Sequence, residues 1–330
     1  MYRPVSRRRV LTAASAGVLS LVSLVACTSN GADETTASTG TPAVAPTQAT
    51  SVATSLITAA SRAQADATAA GDAARAKVYT GPALKAANAQ AKVLAAGSAA
   101  QRAEAELGTD ATVLGISPKA AAPAEIIART TLKKSNAPVL VLLTGDQSGQ
   151  NFTIAAMAPL VQDAKVEALD PTSEGSGLVG TGTGLAAKPS DVSAAWAASV
   201  AFPDPKPSQL VADDPWSSQL RSDAQAQSKA LGAQGVFAQT HEPADILGGL
   251  RLKGGSGALV FAHLTRTDAI ALHKPTKLTP SKEVTAVSGV KTITTEAQLT
   301  SSEFVAFVIP ASGQARVVAA RDQLIAAEAH

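Results

Sequence analysis

One cysteine, Cys27, stands in a chain of 330 residues, so no disulfide can form within it and burial alone must hold the fold. Aromatic residues make up only 3% of the chain, which leaves Ala, Val, Leu and Ile to build the cores. The stretch beyond residue 50 is long enough for two domains of about 100–150 residues each.

The residues before Cys27 have the parts of an export signal. Arg3, Arg7, Arg8 and Arg9 form a cationic start, and Val10 to Ala26 is an uncharged run of seventeen residues. A membrane-spanning helix needs about 20 apolar residues, so this run is at the short end. It closes on Leu24-Val25-Ala26-Cys27, which resembles the lipobox of bacterial lipoproteins. The resemblance implies that the Cys27 thiol takes a diacylglycerol, with palmitate-class chains, and that cleavage makes Cys27 the new N-terminus. A buried or reactive thiol is the alternative, and it fits poorly with a lone Cys placed at this point. Each buried CH₂ contributes about 0.8 kcal/mol, and two acyl chains suffice for stable membrane attachment. Ser6-Arg7-Arg8-Arg9-Val10-Leu11 resembles a twin-arginine export motif. Val10 stands where that motif prefers Phe and Thr12 where it prefers Lys, so twin-arginine and general secretion both stay open.

Removing residues 1–26 takes four of the 28 basic residues and none of the 26 acidic ones, leaving 24 against 26 and a net charge of −2. A weakly acidic chain has no electrostatic case for nucleic acid. The Ala excess points to a GC-rich, actinobacterial source. Residues 27–50 then read as the lipidated Cys and a flexible tether, because Ser, Thr, Ala, Pro and Gly bury too little surface to offset ordering entropy.

Helical spacing begins near Val52, with Leu56, Ala59, Ala63, Ala67 and Ala70 on one face, and Gly71-Asp72 interrupts it. Tyr79-Thr80-Gly81-Pro82 opens a second helix carrying Leu84, Ala87, Ala91 and Leu94, with Gly97 at its end. Ser98 to Asp110 is a polar stretch. From Pro138 the period changes: Val139 to Leu143 is a buried-strand run, Asp146-Gln147-Ser148-Gly149 a turn, and Phe152 to Met157 the return strand. Val166 to Leu169 is a further candidate strand. The first domain thus covers 51–174 and a Gly-rich connector 175–189.

The second domain, 190–330, repeats the order. Val192 to Val200 reads as a helix, Asp213-Asp214-Pro215-Trp216 as a break, and Trp216 to Leu231 as a second helix. Strands are expected at Val236 to Thr240, Leu250 to Leu252, Ala258 to Thr265, Phe304 to Ile309 and Arg316 to Ala320. Ser148-Gly149-Gln150 matches Ser312-Gly313-Gln314, and Ala91-Lys92-Val93-Leu94 matches Ser228-Lys229-Ala230-Leu231. The offsets, 164 and 137 residues, suggest a duplication with extra length in the second copy, placed around the Gly254 to Gly257 turn.

Helices followed by an antiparallel sheet define an α+β fold. The helix, Gly71-Asp72 and Tyr79-Thr80-Gly81-Pro82-Ala83-Leu84 resemble the opening of cystatin-like, nuclear-transport-factor-like cone domains. That resemblance implies two tandem cone-like domains, each with helices packed on a curved antiparallel sheet. Over its length the chain is similar to uncharacterised actinobacterial lipoproteins that carry a domain of unknown function. The signal, Thr80-Gly81-Pro82, the Leu140 hairpin and the Phe304 to Arg321 segment carry this likeness, which implies no activity.

Motifs for chemistry are sparse. His241, His263, His273 and His330 show no metal-ligand spacing, so no metal and no cofactor is expected. His263 shares a strand face with Leu259 and Phe261 and would line a cavity if that face encloses one; packing or solvent exposure is the ordinary role of such a residue. Gly254-Gly255-Ser256-Gly257-Ala258 misses the nucleophile elbow by its last residue and lies between strands. Ser288-Gly289-Val290-Lys291 matches Ser-x-x-Lys without the companion Lys-Thr-Gly. Gly175-Ser176-Gly177-Leu178-Val179-Gly180 spells a dinucleotide fingerprint but no helix follows, so it reads as linker. Asp213-Asp214 reads as a helix entry, and Trp196 and Trp216 as helix-core packing. The chain therefore reads as a non-enzymatic, lipid-anchored protein of the outer face of the cell membrane. Its partner is expected to be another envelope protein or a small ligand. The alternative is a cell-wall or envelope enzyme with His263 in a cavity active site.

Overall fold

Proline sets the start of the principal helices. The computed structural model describes residues 40–330. Within them α1 (Pro46–Ala63), α3 (Gly81–Ala96), α5 (Pro189–Val200) and α6 (Pro215–Leu231) each carry a proline in the first two positions, where no intrahelical N–H is lost. Shorter helices are α2 (Ala69–Ala76), α4 (Ala99–Ala105) and α7 (Lys282–Ser288). The strands form two sheets in chain order. β1 (Thr112–Ile116), β2 (Ala124–Thr131), β3 (Pro138–Gly145) and β4 (Thr153–Pro159) make the first. β5 (Gly235–Arg251), β6 (Gly257–Leu272), β7 (Glu296–Pro310) and β8 (Arg316–Ala329) make the second. Every pairing is antiparallel, so the fold is α+β, with helices packed against two four-stranded sheets.

The first sheet is buried on both faces. Five consecutive residues of β3, Val139 to Leu143, are buried although neighbours point to opposite sides, which explains a continuous apolar run where one wet face would have given alternation. α1 (through Ala49, Ala53, Ile57 and Ala60) and α3 (through Ala83, Ala86 and Ala87) share one core with this sheet. The same core takes in part of the second sheet. Along β7 the alternation divides the strand between two cores: Phe304, Ala306 and Val308 join the first, whereas Val305, Phe307 and Ile309 join a second, under α5 and α6.

Several sequence expectations shift. The folded body starts before the expected end of the tether: Gly40 pairs with Gly175, Pro42 with Pro118, Val44 is buried, and α1 begins at Pro46 rather than Val52. The expected helix over 52–70 is broken at 64–68, and Gly71 lies inside α2. The break is held by Arg75, which is 1% exposed and donates to the Ala63 and Asp66 carbonyls and to Asn88 Oδ1 at 2.7, 2.6 and 2.7 Å. Val166 to Leu169 is a loop, tied to the second sheet where Leu169 bridges Leu252 and where Glu167 pairs with Arg316 of β8. The connector is pinned to both sheets, with Ser176 N donating to Ile116 O and Val179 N to Gly249 O. β5 runs unbroken through the segment expected to separate two strands, with register shifts at Pro243/Asp245 and Ile246/Gly248; as an edge strand it tolerates Pro243.

Ser148-Gly149-Gln150 and Ser312-Gly313-Gln314 both fall in the turn between the third and fourth strands of their sheets. The extra length of the second half lies in its longer strands and the α7 excursion, and the tight Gly254 to Gly257 turn contributes none of it. No helix among the described residues is long and apolar enough to cross a membrane.

Candidate functional site

Charge gathers where the second sheet outruns its apolar cover. On the face under α5 and α6, β6 presents Ala258, Val260, Ala262 and Leu264 and then, at the same period, Arg266 and Asp268. β7 mirrors this, with Ile309, Phe307 and Val305 followed by Glu303 and Ser301. Register aligns them: His241 of β5 lies opposite Arg266, Arg266 opposite Ser301, and Glu303 opposite Asp322 of β8.

Two linked groups result. His241 Nδ1 meets Glu303 Oε2 at 2.7 Å, with side chains 0% and 1% exposed, and Gln239 Nε2 meets His241 Nε2 at 2.8 Å. With the Gln239 amide also donating to Val200 O, the imidazole is neutral and carries its proton on Nδ1 for Glu303. Trp196 stands edge-on to that ring at 5.7 Å, its Nε1 donating to Ser217 Oγ at 2.8 Å. Asp214 caps α6 by accepting from Ser217 N at 3.0 Å, the helix entry that the sequence suggested. In the second group Arg266 donates to Asp322 Oδ2 at 2.7 Å and pairs with Asp268 Oδ2 at 3.1 Å.

A cavity of about 460 Å³ opens onto the second group between the sheet and the α7 segment. Arg266, Asp268, Ser301 and Asp322 line it from the sheet, and Glu283 from α7. Asp268 is 4% exposed, and its Oδ1, like Glu303 Oε1 and Arg266 Nε, has no hydrogen-bond partner among the described residues. Burial pushes the Asp268 carboxyl above its ordinary value, opposed by Arg266. Glu283 is drawn up by what burial it has and by the neighbouring Asp322 charge. Burial works to lower the Arg266 guanidinium, but Asp322, Asp268 and Glu303 together hold it above its usual value. The walls thus carry three carboxyl groups against one guanidinium that is already paired. Such a surface offers acceptors to a ligand and little to an anion. Among the described residues no three His, Cys, Asp or Glu side chains are grouped to hold a metal ion.

The residues singled out by sequence lie elsewhere. Cys27, the lipobox residues Leu24, Val25 and Ala26, and Arg7 and Arg8 fall outside the described residues. His263 is on the opposite face of β6, 8% exposed, with Nε2 3.2 Å from Ser302 Oγ and its ring 5.5 Å from Phe304. Its Nδ1 has no partner among the described residues, and burial first, then Lys85, lowers its pKa against the pull of Asp245. His263 lines none of the five principal cavities. Ser288 ends α7 with its Oγ donating to Val284 O, and Gly289 (φ 77°) takes the left-handed conformation that closes the helix. Trp196 is fully buried and Trp216 packs at the margin of the same core.

Sequence reasoning weighed His241 only as a metal ligand and passed over Arg266, Asp268, Glu283, Glu303 and Asp322. The available signal was period: Leu264, Arg266 and Asp268 continue the alternate positions of an apolar strand, as do Val305, Glu303 and Ser301.

A family model described as "Domain of unknown function (DUF8094)" matches residues 40–329. No curated protein and no solved structure matches the chain.

Proposed function

The chain belongs to the family described as a domain of unknown function, DUF8094, and from that premise we propose a lipid-anchored extracytoplasmic protein that binds a small amine without transforming it. The carrying observation is the cavity beneath α7, where the buried, partnerless Asp268 Oδ1 stands among the carboxyls of Glu283 and Asp322. A ligand bearing N–H donors and positive charge meets those acceptors best. Binding without turnover is favoured by His241: both its ring nitrogens are engaged and its side chain is closed to solvent, so it cannot pass a proton to a bound molecule. The exposed large apolar side chains Leu210, Val236 and Ile246 are dispersed, which speaks for a ligand cavity over a protein-docking face.

The reading includes an actinobacterial lipoprotein held to the outer face of the cell membrane through diacylglycerol on Cys27. It also includes descent from two tandem cone-like units. Support for the latter is the shared order of proline-led helices and a four-stranded meander, with matching Ser-Gly-Gln turns. Bulges at Leu142/Leu143 and Ala306/Phe307 supply curvature at corresponding places.

The binding reading is tested by calorimetric titration of the folded protein with putrescine, ethanolamine and glucosamine. At least one should bind saturably, and Asp268→Asn should remove that binding while leaving the circular dichroism spectrum unchanged. Silence from all three amines, or full binding by the variant, rejects the reading. For the anchor, Cys27→Ser should move the protein from membrane to medium, and continued membrane retention rejects it.

A further inference from the structure

A second pocket has the opposite chemistry. It lies where the first sheet, the helices over it and the middle of β8 meet, and its volume is about 190 Å³. Leu107, Leu132, Val139 and Met157 give it apolar walls, and Tyr79, Gln64, Gln90 and Arg321 supply the polar groups. A dry protein cavity of about 150 Å³ is enough to take up benzene, so this one accommodates a single ring or an aliphatic body of similar size.

Arg321 decides which ligand the pocket fits. It is half-buried and forms no hydrogen bond or ion pair with any described residue. Its neighbour in sequence, Asp322, is bonded to Arg266 on the other face of the sheet at 2.7 Å and is not available to it. Burial lowers the Arg321 guanidinium from its usual value, with Tyr79 and Asp322 opposing, yet an arginine remains cationic at any physiological pH. Tyr79 is 7% exposed, and its hydroxyl is pushed up to about 12 by burial, so it stays an O–H donor. Gln64 uses its amide N–H on Ala105 O and leaves Oε1 buried without a partner. The pocket therefore presents a cation and a hydroxyl donor, with an acceptor besides, inside an apolar enclosure.

We propose that this pocket binds a small organic carboxylate that has an apolar body and a hydrogen-bond donor of its own, about the size of a hydroxybenzoate. The carboxylate meets the Arg321 guanidinium and the Tyr79 hydroxyl, which are the two groups without partners that favour negative charge. The body lies against Leu107, Val139 and Met157, and the donor answers Gln64 Oε1. A desolvated guanidinium–carboxylate contact is worth more than the same pair in water, because the surrounding walls exclude screening solvent. The site is separate from the acidic cavity under α7 and does not depend on the amine reading.

The test is titration of the mature chain with 4-hydroxybenzoate by calorimetry, alongside its neutral counterpart 4-hydroxybenzamide. Saturable binding of the acid is expected, weakened about tenfold or more by loss of the ligand charge or by Arg321→Gln. Asp268→Asn should leave it unchanged. Should Arg321→Gln fail to fold, Ala105→Phe fills the pocket from the end of α4 with Arg321 intact, and it too should abolish binding. No saturable binding at millimolar acid, equal binding of the amide, or undiminished binding by folded Arg321→Gln or Ala105→Phe would overturn the proposal.

Discussion

The two sheets share a meander topology and treat buried charge in opposite ways. In the first, a carboxyl is buried alone: Glu125 of β2, 3% exposed, has one charge-favouring contact, Gly249 N donating to its Oε2 at 2.8 Å. Gly248 makes that approach possible, because a Cβ there would stand 2.5 Å from Glu125 Oε1. With no cation beside it, burial pushes the Glu125 carboxyl up to about 8. In the second sheet, buried polar groups are kept in company: Glu303 is met by the neutral His241, and Arg266 by Asp268 and Asp322. Burial drives both kinds of carboxyl toward the protonated form, but in the network Arg266 opposes it at Asp268, whereas Glu125 has only one backbone N–H to do so.

The sharpest way to break this contrast is to strip one partner from the network. Glu303→Ala leaves His241 Nδ1 without an acceptor in a site closed to solvent. Leaving a buried donor unsatisfied costs up to about 3 kcal/mol, to which the space vacated by the Glu303 side chain adds. Urea unfolding of wild type and variant measures it, and a loss within experimental scatter would show that the pair contributes nothing to folding.

Glu125 gives the next effect, and its sign is set by the raised pKa. The unfolded chain releases this proton near 4.5 and the folded chain only near 8. Below 4.5 the group is neutral in both states and makes no pH-dependent contribution. As pH rises from 4.5 toward 8, only the unfolded state gains by ionising, so folding stability falls, and the loss levels off above 8. By pH 7 the penalty is on the order of 3 kcal/mol. Glu125→Gln lacks it, so the stability difference between variant and wild type should grow in the variant's favour from pH 5 to pH 8. A flat difference across that range would place an ionised carboxylate in the folded state.

The same contrast accounts for what could be read from sequence. Helices begun by Pro82, Pro189 and Pro215, and the hairpin around Asp146, were legible because proline and turn residues act locally. β1 was not, since Gly115 interrupts it one residue before its end, and the reason is tertiary: a Cβ there would come within 2.7 Å of Leu169 Cδ1. β2 ends in Arg129-Thr130-Thr131, and α7 is seven residues with one buried side chain, so neither shows much apolar period. The charged cluster escaped for a different reason. Arg266, Asp268 and Glu303 read individually as solvent-facing strand residues, and only cross-strand register gathers them on one buried face of the sheet. Glu125 likewise reads as an ordinary polar position in β2, because its burial depends on Gly248 and Gly249 more than a hundred residues away.

A third carboxyl completes the series and carries the smallest effect. Asp146, in the β3–β4 turn, is exposed and accepts hydrogen bonds from Ser148 Oγ, Gln150 N, Asn151 Nδ2 and Ser148 N. Those donors favour the charged form and hold its pKa down to about 2, with the Ser148 hydroxyl the largest contributor. The sign is the reverse of Glu125: the folded state holds the carboxylate to lower pH than the unfolded chain does. Its contribution is present above 3.8 and is lost as pH falls toward 2. Carbon-detected NMR of the Asp146 carboxyl should give a midpoint near 2, moving up toward the ordinary aspartate range in Ser148→Ala. An unshifted Asp146 midpoint in the wild type would mean that the turn donors do not engage the carboxylate, and environment would then separate only buried carboxyls from one another.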